Sequence, residues 1–72
     1  MKNPNARVIL RLPAVRARTG LSRSTIYARI RKGLFPQTYP LGGRIVGWLE
    51  SDVAAWIEDK IQRVDHRDGS RS

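Results

Sequence analysis

The stretch Thr19-Gly20-Leu21-Ser22-Arg23-Ser24-Thr25-Ile26-Tyr27 decides how the rest of the chain reads. Its first four residues interrupt a helical pattern. Glycine adopts a left-handed backbone conformation without a Cβ penalty, so Gly20 can close one helix and turn the chain sharply. Leu21 then points into the angle between two helices. Ser22 suits an N-cap, its hydroxyl placed to accept from the N–H of Ser24 or Thr25. A second helix is therefore expected from Arg23 to about Lys32, with Ile26 and Ile30 on its inner face and Gly33 as its end. Upstream, Leu12-Pro13 reads as the start of a first helix running from about Pro13 to Arg18, because proline fits the first helical turn. Val15 faces inward on it. Two short helices joined by a tight glycine-containing turn make a helix-turn-helix. Leu21 and Ile26 fill the angle, and the second helix is left protruding in a form that fits a DNA major groove.

Working outward, Arg7-Val8-Ile9-Leu10-Arg11 is a short apolar run between charges, either an edge strand or an extended lead-in. On the other side, Thr38 to Leu41, then Gly42-Gly43, then Arg44 to Trp48 reads as a hairpin with its tight turn at the glycine pair. Pro40 cannot donate to a ladder, so its strand belongs at an edge. A third helix is expected to begin near Ser51-Asp52, a hydroxyl cap followed by an acid that favours the positive end of the helix dipole. Val53, Trp56, Ile57, Ile61 and Val64 form its apolar stripe. Trp48 and Trp56 are expected in the core, since large aromatics supply much of a small domain's burial. The expected organisation is a flexible arm over 1–6, one domain over 7–64, and a disordered tail over 65–72. The fold class is mainly α with a small β-hairpin.

Charge is sharply segregated. Residues 1–49 carry ten Lys and Arg and no acid, whereas all six acids lie from Glu50 onward against four bases. Like charges crowded in this way repel one another unless a polyanion neutralises them. Nucleic acid fits better than membrane, because the bases do not lie opposite a bulky apolar helical face. Taking 100° per residue with Ile26 and Ile30 inward, the outward face of the second helix holds Ser24, Ala28 and Arg31, flanked by Tyr27 and Lys32. Its N-terminal end, with Ser22, Arg23, Ser24 and Thr25, presents free N–H groups suited to a phosphate. Arg44 beside the glycine pair makes the hairpin tip a candidate wing on the DNA backbone or in the minor groove. The candidate contact set is thus Ser22, Arg23, Ser24, Thr25, Tyr27, Ala28, Arg31, Lys32 and Arg44.

These segments, taken in order, also carry a family resemblance. Ile9-Leu10-Arg11-Leu12-Pro13, the Thr19 to Tyr27 run, Gly33 with Phe35-Pro36, Val46-Gly47-Trp48, and Ser51-Asp52-Val53 with Ala55-Trp56 resemble the AlpA family of small prophage regulators. That family is similar in turn to the winged-helix domains of phage excisionases and MerR-type regulators. The resemblance implies a winged helix-turn-helix of the excisionase/MerR-like type. It also implies a transcriptional regulator acting on promoter or attachment-site DNA of a prophage or integrated element. Duplex DNA is the implied partner, with integrase or RNA polymerase as candidate protein partners and a monomer or weak dimer, cooperative on repeated sites, as the binding unit. Two alternatives stand beside it: an excisionase-like factor that bends attachment-site DNA, and a module that binds RNA or another protein.

Composition argues against chemistry. No cysteine is present for a disulfide or a Cys-based zinc site. His66 is the single histidine and falls in the polar tail. Asp52, Glu58 and Asp59 suit a helix cap and a solvent face better than a metal. An enzyme needs a sheltered pocket with placed acids, bases or nucleophiles, and the first 49 residues supply no acid. No catalytic activity, cofactor or metal is expected. With no apolar run of signal-peptide length and no stretch near the ~20 apolar residues of a membrane span, a cytoplasmic protein is expected.

Overall fold

The left-handed turn forms where the glycine allows it. Gly20 has φ +75 and caps helix α1, Leu12–Thr19, its N–H donating to the Arg16 carbonyl at 2.8 Å. The Thr19 hydroxyl tightens the same turn. It donates to the Val15 carbonyl at 2.8 Å and accepts from the Leu21 N–H at 3.2 Å. Helix α2, Arg23–Arg31, starts two residues after the turn with Ser22 as its N-cap and ends with Lys32 as its C-cap. The computed structural model describes the backbone of residues 7–71 and the side chains of residues 7–63. The expected flexible arm, residues 1–6, lies outside the described residues.

The Arg7 to Arg11 run resolves as a strand. Strand β1, Ile9–Leu10, pairs antiparallel with β3, Ile45–Leu49, in the register Ile9↔Leu49 and Leu10↔Trp48. Strand β2, Tyr39–Gly42, pairs with the other side of β3, so the expected hairpin becomes a three-stranded sheet in the order β1-β3-β2. Pro40 sits on an edge strand, where its missing donor costs no ladder bond.

The turn itself differs from the sequence reading. Gly42 pairs with Ile45, and the two turn residues are Gly43 and Arg44 rather than Gly42 and Gly43. The register shifts between Pro40 and Gly42, so β2 bulges and the turn advances by one residue. Gly43, at φ +56, takes the left-handed position, and Arg44 becomes part of the tip.

Helix α3, Glu50–Arg71, follows β3 without a linker. Ser51 therefore lies inside its first turn and does not precede it as a cap. The Glu50 N–H is instead satisfied by the Val8 carbonyl at 2.7 Å, so the sheet's own hydrogen bonding carries into the helix start. Glu50 and Asp52 place two carboxylates at the positive end of the dipole. At the other end, α3 continues to Arg71, through most of the segment expected to be a disordered tail. Residues 62–68 contain neither proline nor glycine, so nothing in them stops helix propagation.

The core takes one buried side chain from every element except β2: Leu10, Val15, Ile26, Trp48 and Val53, joined by Phe35 from the connection between α2 and β2. Leu12, Ala14, Leu21, Tyr27, Ile30, Trp56 and Ile57 pack around it, half-buried. The stripe on α3 is shorter than expected. Val53, Trp56 and Ile57 reach the core, but Ile61 is 49% exposed, and the Val64 side chain lies outside the described residues. It follows that deleting Arg67 to Ser72 leaves the melting temperature within about 2–3 °C of the parent, a change of well under 1 kcal/mol. A thermal melt of the truncated chain checks this.

The long connection from Gly33 to Thr38 has no regular structure, yet two indoles anchor it. Trp48 Nε1 donates to the Pro36 carbonyl at 3.1 Å, and Trp56 Nε1 donates to the Leu34 carbonyl at 2.9 Å. Phe35 lies edge-on to Trp56, with ring centroids 4.9 Å apart. The same contacts bury Trp48 completely, which removes it as a base-stacking surface. Trp48 and Trp56 thus hold the far end of α2 and the start of the hairpin on a common base.

Candidate nucleic-acid interface

Helix α2 presents its surface in two parts. At its N-terminal end the hydroxyls serve one another. The Ser22 Oγ accepts from the Thr25 N–H at 3.2 Å and donates to the Thr25 Oγ1 at 3.0 Å. Ser24 Oγ lies 3.4 Å from Ser22 Oγ. The Ser22 hydroxyl is therefore committed to capping, a role worth about 1 kcal/mol against alanine. Three other N-terminal amides of the helix, with no acid in the first turn, leave a positive end facing outward.

The exposed residues of the candidate set are Ser22, Arg23, Ser24, Arg31, Lys32 and Arg44. Thr25, Tyr27 and Ala28 are half-buried, so the outward face is narrower than the helical wheel places it. Tyr27 departs most. Its ring packs against the core and meets the buried Trp48 edge-on, with centroids 6.1 Å apart and planes at 61°. Above it sits Arg23, whose Cζ lies 5.2 Å from the Tyr27 centroid. A cation over an aromatic face at an exposed site contributes roughly 0.5–1 kcal/mol. This stack was readable in principle from the Arg23 and Tyr27 spacing, because residues four apart share a helix face.

Arg44 stands apart from this group, exposed at the β2–β3 tip. Beside it on the sheet, Gly47 is closed over by its neighbours. A Cβ there falls 2.5 Å from the Ile9 Cγ2 and 3.0 Å from the Leu10 carbonyl oxygen, so β3 passes close beneath β1 only with glycine at this position.

Electrostatics keep the α2 face uncompensated. Glu50 pairs with Arg18 at 2.8 Å, and Asp59 pairs with Arg63 at 3.0 Å. Asp52 accepts from the Tyr39 hydroxyl at 3.4 Å. Among the described residues, Arg23, Arg29, Arg31, Lys32 and Arg44 have no carboxylate partner. Also among the described residues, no group of three His, Cys, Asp or Glu could hold a metal ion, and no helix is long and apolar enough to cross a membrane.

Three helices and a three-stranded antiparallel sheet, with a left-handed glycine turn before a basic helix, define a small α+β domain compatible with a winged helix-turn-helix. The family described as Prophage CP4-57 regulatory protein (AlpA) matches residues 8–61, and the chain belongs to that family. Among its relatives, an uncharacterized protein, ORF88, of Enterobacteria phage P4 is 56% identical over 52 residues, covering 72% of this chain. The chain spans 59% of that protein's length. The DNA-binding transcriptional activator AlpA of Escherichia coli (strain K12) is 36% identical over 70 residues, covering 89% of this chain and 100% of its own. No solved structure matches the chain significantly.

Proposed function

We propose that this chain is a sequence-specific DNA-binding transcriptional regulator of a prophage or integrated element, built as a winged helix-turn-helix of the excisionase/MerR-like type. One observation carries the reading: α2 follows a left-handed glycine turn and bears positive charge with no carboxylate partner among the described residues. Its matched family and the activator name of its K12 relative support it. Ser24, Ala28, Arg31 and Lys32 lie along the groove-facing side, Ser22 and Thr25 shape the end that meets a phosphate, and Arg23 and Tyr27 stand beside it. Arg44 approaches the duplex from the wing. The function is regulatory and not enzymatic, exercised in the cytoplasm where the DNA lies.

Selection from random duplexes, followed by footprinting, tests this directly. A single enriched motif, outcompeted by duplex DNA and not by RNA, is the expected result. Recovery of no motif, with RNA competing equally, overturns the reading. On the selected site, Arg31→Ala is expected to weaken operator binding by about 1–3 kcal/mol while affecting a scrambled duplex much less, as for a lost base contact. Arg44→Ala is expected to weaken both duplexes alike, because a phosphate contact carries no sequence information. Titrations on both duplexes separate reader from clamp.

A further inference from the structure

We propose that Arg23 reads a guanine in the operator and that Tyr27 is the positioning residue that aims it. This rests on α2 being the groove-facing helix. Arg23 is the first residue of α2, the end of a recognition helix that reaches base edges. An arginine there is ordinarily a long side chain with many rotamers, and ordering it on DNA costs binding free energy. In this domain the ordering is built in. The guanidinium lies over the Tyr27 ring at 5.2 Å, and that ring is itself braced edge-on by Trp48, which is 0% exposed. Two contacts among three residues therefore connect the buried core to an exposed cation.

The geometry of stacking also suits the task. With its Cζ over the Tyr27 ring, the guanidinium can stack by its face and keep its N–H edge for the O6 and N7 acceptors of guanine, which that edge matches as a pair. Among the described residues no carboxylate competes for it. Arg31, the other proposed reader, has no aromatic platform beneath it. Tyr27 cannot do the reading from the free face, because its ring is half-buried against the core. Its contribution passes through Arg23.

The test compares single-base-pair variants of the selected operator, titrated by fluorescence anisotropy with thermal melts alongside. Arg23→Ala is expected to relax the preference at one G·C pair by about tenfold or more, the range of one bidentate base contact. Tyr27→Leu keeps apolar bulk against Trp48 and removes the π face. It is expected to relax the preference at that same pair and at no other. Tyr27→Phe keeps the face and so keeps the preference. The double variant Arg23→Ala/Tyr27→Leu is expected to lose no more base preference than Arg23→Ala alone. The preference is a ratio between duplexes, so a lowered fraction of folded protein does not mimic it. The proposal is overturned if Tyr27→Leu leaves the preference at the Arg23 pair intact, or if Arg23→Ala weakens all duplexes equally. If Arg31→Ala still relaxes operator preference in that case, the Arg23–Tyr27 proposal is lost while the assignment of α2 to the groove stands. If neither arginine variant changes operator binding, the assignment of α2 to the groove falls with it.

Discussion

Gly20→Val is expected to abolish operator binding, whereas Gly20→Asn retains most of it. The position has φ +75, and the space where a Cβ would stand is open, with nothing within 4 Å. The cost is therefore backbone strain alone, without any steric clash. A β-branched residue held in the left-handed region costs roughly 1–3 kcal/mol, while asparagine tolerates that region because its side chain bonds locally. A domain of 72 residues with no cysteine has a stability of only about 3–5 kcal/mol to draw on. The chain escapes the strain by reopening the turn, which breaks the Gly20 N–H bond to Arg16 and the Thr19 bridge between α1 and Leu21. With that turn open, α2 no longer holds its angle to the sheet. Circular dichroism melts with gel shifts on the selected operator decide it. A Gly20→Val protein that melts and binds like the parent would show that the left-handed turn does not set the helix.

Affinity is expected to fall several-hundred-fold between about 50 and 200 mM salt. Ten bases and no acid occupy residues 1–49, and most of those on α2 and the hairpin tip have no intramolecular counter-ion among the described residues. If about five of them neutralise phosphates, released counterions give a log–log slope near −4 to −5. Arg18 is not among them, because Glu50 already holds it at 2.8 Å. Anisotropy titrations across the salt range read the slope. Arg44→Ala is expected to make it shallower by about one, the signature of a single lost phosphate contact. A slope near zero on the parent would mean that the basic half does not face a polyanion.

The helical part of this domain was legible because its signals are local. Pro13 opens α1 through its fixed φ, while Gly20 closes it and Ser22 caps α2 through bonds to residues at most four positions away. The basic character of α2 was legible for the same reason, because charge sign is a property of a short stretch, whereas the helical phase left Thr25, Tyr27 and Ala28 more exposed than the structure places them. Where the reading went astray, the deciding partner was distant. Ser51 looks like a cap until the adjacent Glu50 amide is seen to be held by the Val8 carbonyl, 42 positions before Glu50. The turn looks like Gly42-Gly43 until the pairing of β2 with β3 moves it onto Gly43-Arg44. Phe35 sits in a stretch with no periodicity, and only the two indoles from β3 and α3 make it part of the core.

By itself, then, the sequence determined the two helices α1 and α2, the left-handed turn between them and the sign of the charge on α2, all consequences of backbone preference and side-chain type acting within one or two turns. Tertiary structure alone decided that Arg7 to Arg11 becomes the third strand, that Gly47 must stay bare beneath Ile9, and that Tyr27 turns from the outward face to stand between Trp48 and Arg23. Those outcomes depend on which surfaces meet across the core, and a helical wheel drawn for one element carries no information about the element that packs against it.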